Sequence, residues 1–272
     1  MTLRVEALSH TYPPPAPDAE TRTVLQIDSW TLNTGDQVLL RGVSGSGKTT
    51  LFNILAGLLR PTSGAVYYDD YSLYELPEAA RDRFRARQIG YVFQSHYLIG
   101  SLTAQENILM PMVFAGNVPK NAQTERANAL LEQVGLSMVA RHKPKQLSTG
   151  QRLRVALARA LANNPRLVLA DEPTAALDEA NSANVIALLQ KTCHENNAIL
   201  IVASHDPAVA AQFTQRFDLR GGRLIEESTN NQPALVGMRD SASTAAIISP
   251  DDPVQDIDSG GRAVAHPQTI MS

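Results

Sequence analysis

An α/β fold built on a largely parallel sheet is predicted for this chain by three observations. Short apolar runs of strand length recur at Val38-Leu39-Leu40, at 89–93, at 167–170 and at 199–203, the mark of strands covered on both faces. Segments of helical period lie between them: Ala127, Leu130, Leu131 and Val134 recur at i, i+3, i+4 and i+7, and Val185, Leu188, Leu189 and Thr192 do so more weakly. Strands alternating with helices in this way close into a sheet layered by helices. The third observation is a gap: no strand signal stands out between about Thr103 and Ala162, so a helical subdomain is expected at about 95–162.

In chain order, 3–8 and 24–32 read as two strands joined through Pro13-Pro14-Pro15-Ala16-Pro17. Consecutive prolines fix φ and remove ladder donors, so this connection is stiff and exposed rather than part of a sheet. A proline-binding partner is the other reading of the run. Trp30, in the second strand-like run, reads as core. A hairpin follows at Asp69-Asp70, where the turn would more often use Asp-Gly. Cys193 falls in a helical segment as a small packed residue.

At Glu227 the character of the chain changes. From there to Ser272 there is no aromatic residue, and six acids against two bases give a charge of -4, leaving +1 for the rest. Such a composition reads as a disordered extension, because it cannot offset its ordering entropy, or as a regulatory tail. The expected division is 1–226 as the folded unit and 227–272 as tail.

Several functional classes are excluded by composition. With 272 residues and 43% hydrophobic content the chain can bury a core unaided, and one cysteine rules out a disulfide framework and a multi-cysteine zinc site. A formal charge of -3 argues against a basic surface that grips nucleic acid, so no nucleic-acid partner is expected. No apolar run reaches the roughly 18–20 residues of a bilayer span. The first residues are too polar for a secretory signal, which together with the lone cysteine leads to the expectation of a reducing, cytoplasmic setting.

Chemistry enters at Gly42-Val43-Ser44-Gly45-Ser46-Gly47-Lys48-Thr49, a complete G-x-x-x-x-G-K-[ST] phosphate loop of the P-loop NTPase type. It follows a strand-like run and opens a helix-like one, the context the motif requires. Its glycines let successive N–H groups curl around phosphate oxygens, and the helix start adds partial positive charge at the same point. Lys48 would reach the β- and γ-phosphates of ATP, and the Thr49 hydroxyl would ligate Mg²⁺. The neighbouring Thr50 completes the expected ATP-binding set. Further along, an apolar strand ends in Asp171-Glu172, where such sheets place their ligand crevice. Asp171 would hold the Mg²⁺ shell and Glu172 would polarise the attacking water as general base.

Upstream of that pair by 23 residues stands Leu147-Ser148-Thr149-Gly150-Gln151, which resembles the signature motif of the ATP-binding cassette (ABC) ATPases. Around it the other cassette elements appear in order. Gln94 resembles the Q-loop glutamine, Ala176-Leu177-Asp178 the D-loop, His205 the switch histidine, and Tyr12 the aromatic residue that stacks on adenine. The resemblance spans about 3–226. It implies the ABC fold, in which a mostly parallel core sheet carries an antiparallel β subdomain and a helical subdomain. It also implies ATP hydrolysis with Glu172, His205, Gln94 and Lys48 as catalytic residues, and Mg²⁺ held by Thr49, Gln94 and Asp171. Ser101-Leu102-Thr103-Ala104-Gln105-Glu106-Asn107, Pro111-Met112 and Ala115-Gly116 resemble the branch serving lipoprotein release, macrolide export and cell division.

In that family two copies sandwich two nucleotides, each site taking the signature from the other copy. Here Ser148, Thr149, Gly150 and Gln151 would act in trans, with Ser148 and the Gly150 N–H at the γ-phosphate. The resemblance also implies an integral membrane permease as partner, and hence a peripheral place on the inner face of the plasma membrane. Tyr97, Leu98, Ile99 and Leu102 are expected either to contact that partner or to pack inside the helical lobe. Thr149 stands where the family has glycine. A β-branched residue is tolerated there if φ is negative and would spoil the site if it were not. The competing functions are a soluble ABC ATPase of DNA repair or translation, and a nucleotide-gated binding module that scarcely hydrolyses ATP.

Overall fold

The computed structural model describes residues 1–13, 21–175 and 177–227. The prolines after Pro13, Ala176 of the D-loop-like run and the tail beyond Glu227 lie outside the described residues. The chain opens with β1 (Thr2–Tyr12), β2 (Arg22–Asn33) and β3 (Gln37–Arg41), followed by α1 (Lys48–Leu55), β4 (Ser63–Tyr68) and β5 (Tyr71–Ser72). Next come α2 (Glu78–Gln88), β6 (Ile89–Val92), α3 (Ala104–Ala115), α4 (Lys120–Gln133) and α5 (Thr149–Ala160). The core closes with β7 (Leu167–Asp171), α6 (Glu179–Glu195), β8 (Ile199–Ala203), α7 (Pro207–Ala210), β9 (Gln215–Arg220) and β10 (Arg223–Glu226).

Two sheets result. A four-stranded antiparallel sheet has the order β2-β1-β4-β5, and a six-stranded sheet runs β10-β9-β3-β8-β7-β6. Every pairing in the second sheet is parallel except β10 on β9. This is the α/β class expected from the apolar runs. The alternation of side chains across the strands creates two cores. Val38, Leu40, Leu167, Leu169, Ile199 and Ile201 face α1 and the antiparallel sheet. Leu39, Val168, Ala170, Leu200 and Val202 face the opposite cluster, which Leu153 and Leu157 of α5 and Ile186 and Leu189 of α6 complete. Trp30 lies in the first core with its ring edge-on to Phe217, and Cys193 lies in the second.

α1 is only eight residues long and ends inside the protein, where its last carbonyls need donors. Tyr68 and Tyr74 supply them, the first hydroxyl donating to Leu55 and the second shared between Ile54 and the Leu59 carbonyl just beyond the helix. The phosphate-loop helix is thereby anchored at its C-terminal end. Asp69 solves the turn the sequence left awkward. It adopts φ 54°, a left-handed value that Asp tolerates, and its carboxylate accepts from the Thr2 N–H at 2.7 Å.

Between β6 and β7 the described elements are helical. α3 begins with a reciprocal cap between Thr103 and Glu106, α4 buries Ala127, Leu130 and Leu131, and α5 begins with a cap between Ser148 and Gln151. No described helix is long and apolar enough to cross a membrane.

Candidate functional site

Beside the tip of β3, where the chain enters α1, a cavity of 790 Å³ opens. It is lined by Tyr12, the whole run from Gly42 to Thr50, Gln94, Asp171, Glu172 and His205. With Arg22 and Val24 of β2, six separate stretches of sequence converge on one place. The parallel order explains this: β3, β8 and β7 are adjacent, so their C-terminal ends deliver Gly42, His205 and the Asp171-Glu172 pair side by side.

The loop needs its glycines for space as well as for conformation. Gly47 caps α1 at φ 108°, and a Cβ there would come within 2.9 Å of Val24. At Gly42 a Cβ would meet Ser46 Oγ at 2.5 Å and the Leu219 carbonyl at 2.8 Å. The Ser46 hydroxyl itself is buried without a partner. Lys48 Nζ donates to the Gly42 carbonyl at 2.7 Å, so the ammonium is held over the loop, and it lies 3.8 Å from Glu172 Oε1.

Thr49 Oγ1 donates to Asp171 Oδ2 at 2.7 Å, which brings a hydroxyl and a carboxylate together at the floor. Burial pushes the Asp171 carboxyl up from its ordinary pKa, the Thr49 hydrogen bond pulls it back, Glu172 raises it further and Lys48 lowers it. Glu172 sits at φ 47°, a backbone region that costs a non-glycine residue about 1–2 kcal/mol. Its N–H donates to the Ala203 carbonyl at 2.9 Å, which holds the kink against β8. The carboxylate is met by His205 Nδ1 at 3.0 and 3.1 Å. With Nδ1 engaged by the carboxylate, Nε2 is left for another partner. At the mouth, the half-exposed Tyr12 ring stands edge-on to His10, and its hydroxyl is 3.2 Å from Thr50 Oγ1.

The residues fit a magnesium–triphosphate group. Thr49, Asp171 and Gln94 offer hard oxygen donors with one carboxylate among them, the set expected of an ion that takes its remaining ligands from phosphate and water. The buried Ser46 hydroxyl has no partner among the described residues, which leaves it to a bound group.

Ser148, Thr149, Gly150 and Gln151 do not line this cavity. Ser148 is exposed at the head of α5, where its hydroxyl accepts from the Gln151 N–H at 3.2 Å and its own N–H donates to Gln151 Oε1 at 2.9 Å. Thr149 is the first helical residue, and its hydroxyl accepts from Arg152 at 3.0 Å. It is absent from the positive-φ residues, so the condition under which a β-branched side chain is tolerated holds. The cluster after Gln94 divides: Tyr97 and Ile99 are exposed, whereas Leu98 packs against the helical core. Three contributors, Pro13, Arg22 and Val24, went unforeseen. Arg22 lines the cavity and donates to the Gly45 carbonyl at 3.3 Å, a place given by β2 lying over the loop and marked by no motif.

Comparison with known proteins points one way. A model of the family described as ABC transporter matches residues 25–175. The lipoprotein-releasing system ATP-binding protein LolD of Chromohalobacter salexigens is 40% identical over 226 residues, which cover 83% of this chain and 94% of that protein. The macrolide export ATP-binding/permease protein MacB 1 of Yersinia pestis is 39% identical over 227 residues, but these make up 35% of its length. Among solved structures, the dimeric ATP-binding cassette MJ0796 in a post-hydrolysis state with ADP and Pi superposes with a TM-score of 0.75 at 37% identity. It covers 83% of this chain and 97% of that one.

Proposed function

The chain belongs to the ABC transporter family as an ATP-binding ATPase subunit, and from that premise we propose how its residues bind and hydrolyse ATP and what they drive. The observation that carries the reading is the 3.0 Å contact of His205 Nδ1 with a Glu172 carboxylate that also faces Lys48. In this reading Tyr12 stacks on the adenine, the N–H groups from Gly42 to Thr50 hold the phosphates, and Lys48 leaves the Gly42 carbonyl for the β- and γ-phosphate oxygens. Thr49, Asp171 and Gln94 hold Mg²⁺, which when bound neutralises phosphate charge. Glu172 accepts the proton of the attacking water, while His205 holds the carboxylate in line and offers Nε2 to the γ-phosphate.

Residues 1–226 form the nucleotide-binding unit, with 95–162 as its helical arm. Catalysis needs two copies, because the exposed Ser148 tip does not line its own cavity and presents the positive start of α5 to a γ-phosphate in its twin. The membrane partner is a permease of the lipoprotein-release or macrolide-export kind, with Tyr97 and Ile99 at the contact, and the subunit sits peripherally on the inner face of the membrane through it. Glu172→Gln should trap an ATP-bound dimer on a sizing column. Persistent monomer at saturating MgATP would overturn the sandwich. Tyr97→Asp should weaken co-purification with the permease while ATP binding stays within about twofold, and an undiminished complex would move the contact elsewhere.

A further inference from the structure

The loop that follows Gln94 is held in an unusual way. His96 and Tyr97 are consecutive non-glycine residues with positive φ, 60° and 44°. Two successive left-handed residues persist only where the surroundings over-determine them. Both carbonyls accept from a single guanidinium: Arg159 donates through Nη2 to His96 and through Nη1 to Tyr97, each at 2.6 Å. Burial lowers the pKa of Arg159, yet the group stays cationic, and Arg159 also presses the His96 pKa downward after desolvation and Arg152.

Arg159 belongs to the last turn of α5, the 12-residue helix that starts immediately after Ser148, about 18 Å of continuous helix at 1.5 Å per residue. One end of this rod carries the tip assigned to the partner's nucleotide. The other grips a loop whose Tyr97 side chain faces outward and whose neighbour Phe93 packs edge-on against it. The loop is also tied to α3, where buried Asn107 accepts from the Ile99 N–H at 2.7 Å.

We propose that Arg159 is a positioning residue that locks the loop at 95–99 to α5, so that a partner seated on Tyr97 and Ile99 sets the place of the Ser148 tip. A planar fork spanning two carbonyls transmits rotation as well as displacement, which a single ammonium does not. The proposal rests on the sandwich reading above and adds the part that connects its two surfaces.

The test uses the full chain in the Glu172→Gln background. Arg159→Lys keeps charge and length but loses the fork, and Arg159→Gln removes the charge. Both should leave binding of a fluorescent ATP analogue by the monomer within twofold. Both should also raise the ATP concentration for half-maximal dimer about tenfold. A midpoint unchanged in Arg159→Lys overturns the proposal, including the case in which Arg159→Gln fails to fold. Failure of the Glu172→Gln parent to dimerise would strike the sandwich instead. The strut is then judged in the monomer, from the distance distribution between spin labels at Ile99→Cys and Lys145→Cys with Cys193→Ala. Broadening in Arg159→Lys supports it, and an unchanged narrow distribution overturns it.

Discussion

Asp171 shows how a site for a cation weighs on the protein that carries it. Its folded pKa is raised chiefly by burial, so the ionised form is disfavoured in the native state. A group shifted this way favours folding when protonated and loses that contribution as pH rises, so at pH 7 the carboxylate costs stability. Asp171→Asn should therefore raise the melting temperature of the nucleotide-free protein at pH 7, with the gain shrinking as pH falls toward the unfolded carboxylate pKa of about 3.9. The same variant should lose the extra stabilisation that Mg²⁺ adds to ATP in a thermal-shift assay. A lower melting temperature at pH 7 would show that the Thr49 and Lys48 contacts outweigh the burial. Thr149 makes the opposite point. Because its backbone is already helical, Thr149→Gly should cost at most about 0.5 kcal/mol in urea unfolding and leave ATP-driven dimerisation within twofold. Dimerisation tightened tenfold would mean that the threonine obstructs the trans contact.

Asn107 belongs to the scale of elements. In the sequence it is one polar letter in a run resembling one branch of the family. In the fold it is fully buried on α3. Its amide accepts from the Ile99 N–H and donates to the carbonyls of Ile99, Leu102 and Thr103. The residue is a bracket that shapes the loop carrying Tyr97 and Ile99. Asn107→Leu keeps the branch and heavy-atom count but leaves backbone groups of the loop unpaired, so a stability loss of at least about 2 kcal/mol is expected. Hydrogen exchange at 99–103 should rise more than exchange in α5; uniform acceleration would mean that the bracket is not local. The caps behave differently: Thr103 with Glu106 and Ser148 with Gln151 each act within four residues and shape only the start of their own helix.

Over the whole molecule, two cores share one sheet, and loosening either releases the site. Cys193 reports on this. It is buried in the cluster beneath α6, and burial pushes its thiol pKa up to about 12, so it has neither access nor thiolate in the native state. Alkylation by iodoacetamide at pH 8 should follow opening of that core. MgATP at about 100 times its dissociation constant should slow it roughly a hundredfold, the kinetic form of about 2.7 kcal/mol of ligand stabilisation. Labelling indifferent to nucleotide would show that α6 opens without disturbing the cradle.

Alternation of strand and helix, the phosphate loop and the Asp171-Glu172 pair were legible in the linear order, because each depends on residues within one element or its immediate neighbours. The convergence of Tyr12, Gln94 and His205 on that loop was carried by resemblance, since residues far apart in sequence meet only when β3, β8 and β7 lie side by side. What no local pattern contained is the left-handed turn at Glu172, the fork of Arg159 on two carbonyls and the reach of Arg22 over Gly45. These are contacts between elements, whose partners are chosen by how the sheet twists and the helices pack. The residues of this chain thus determined by themselves which chemistry is present, and tertiary packing decided how that chemistry is aimed and what it is tied to.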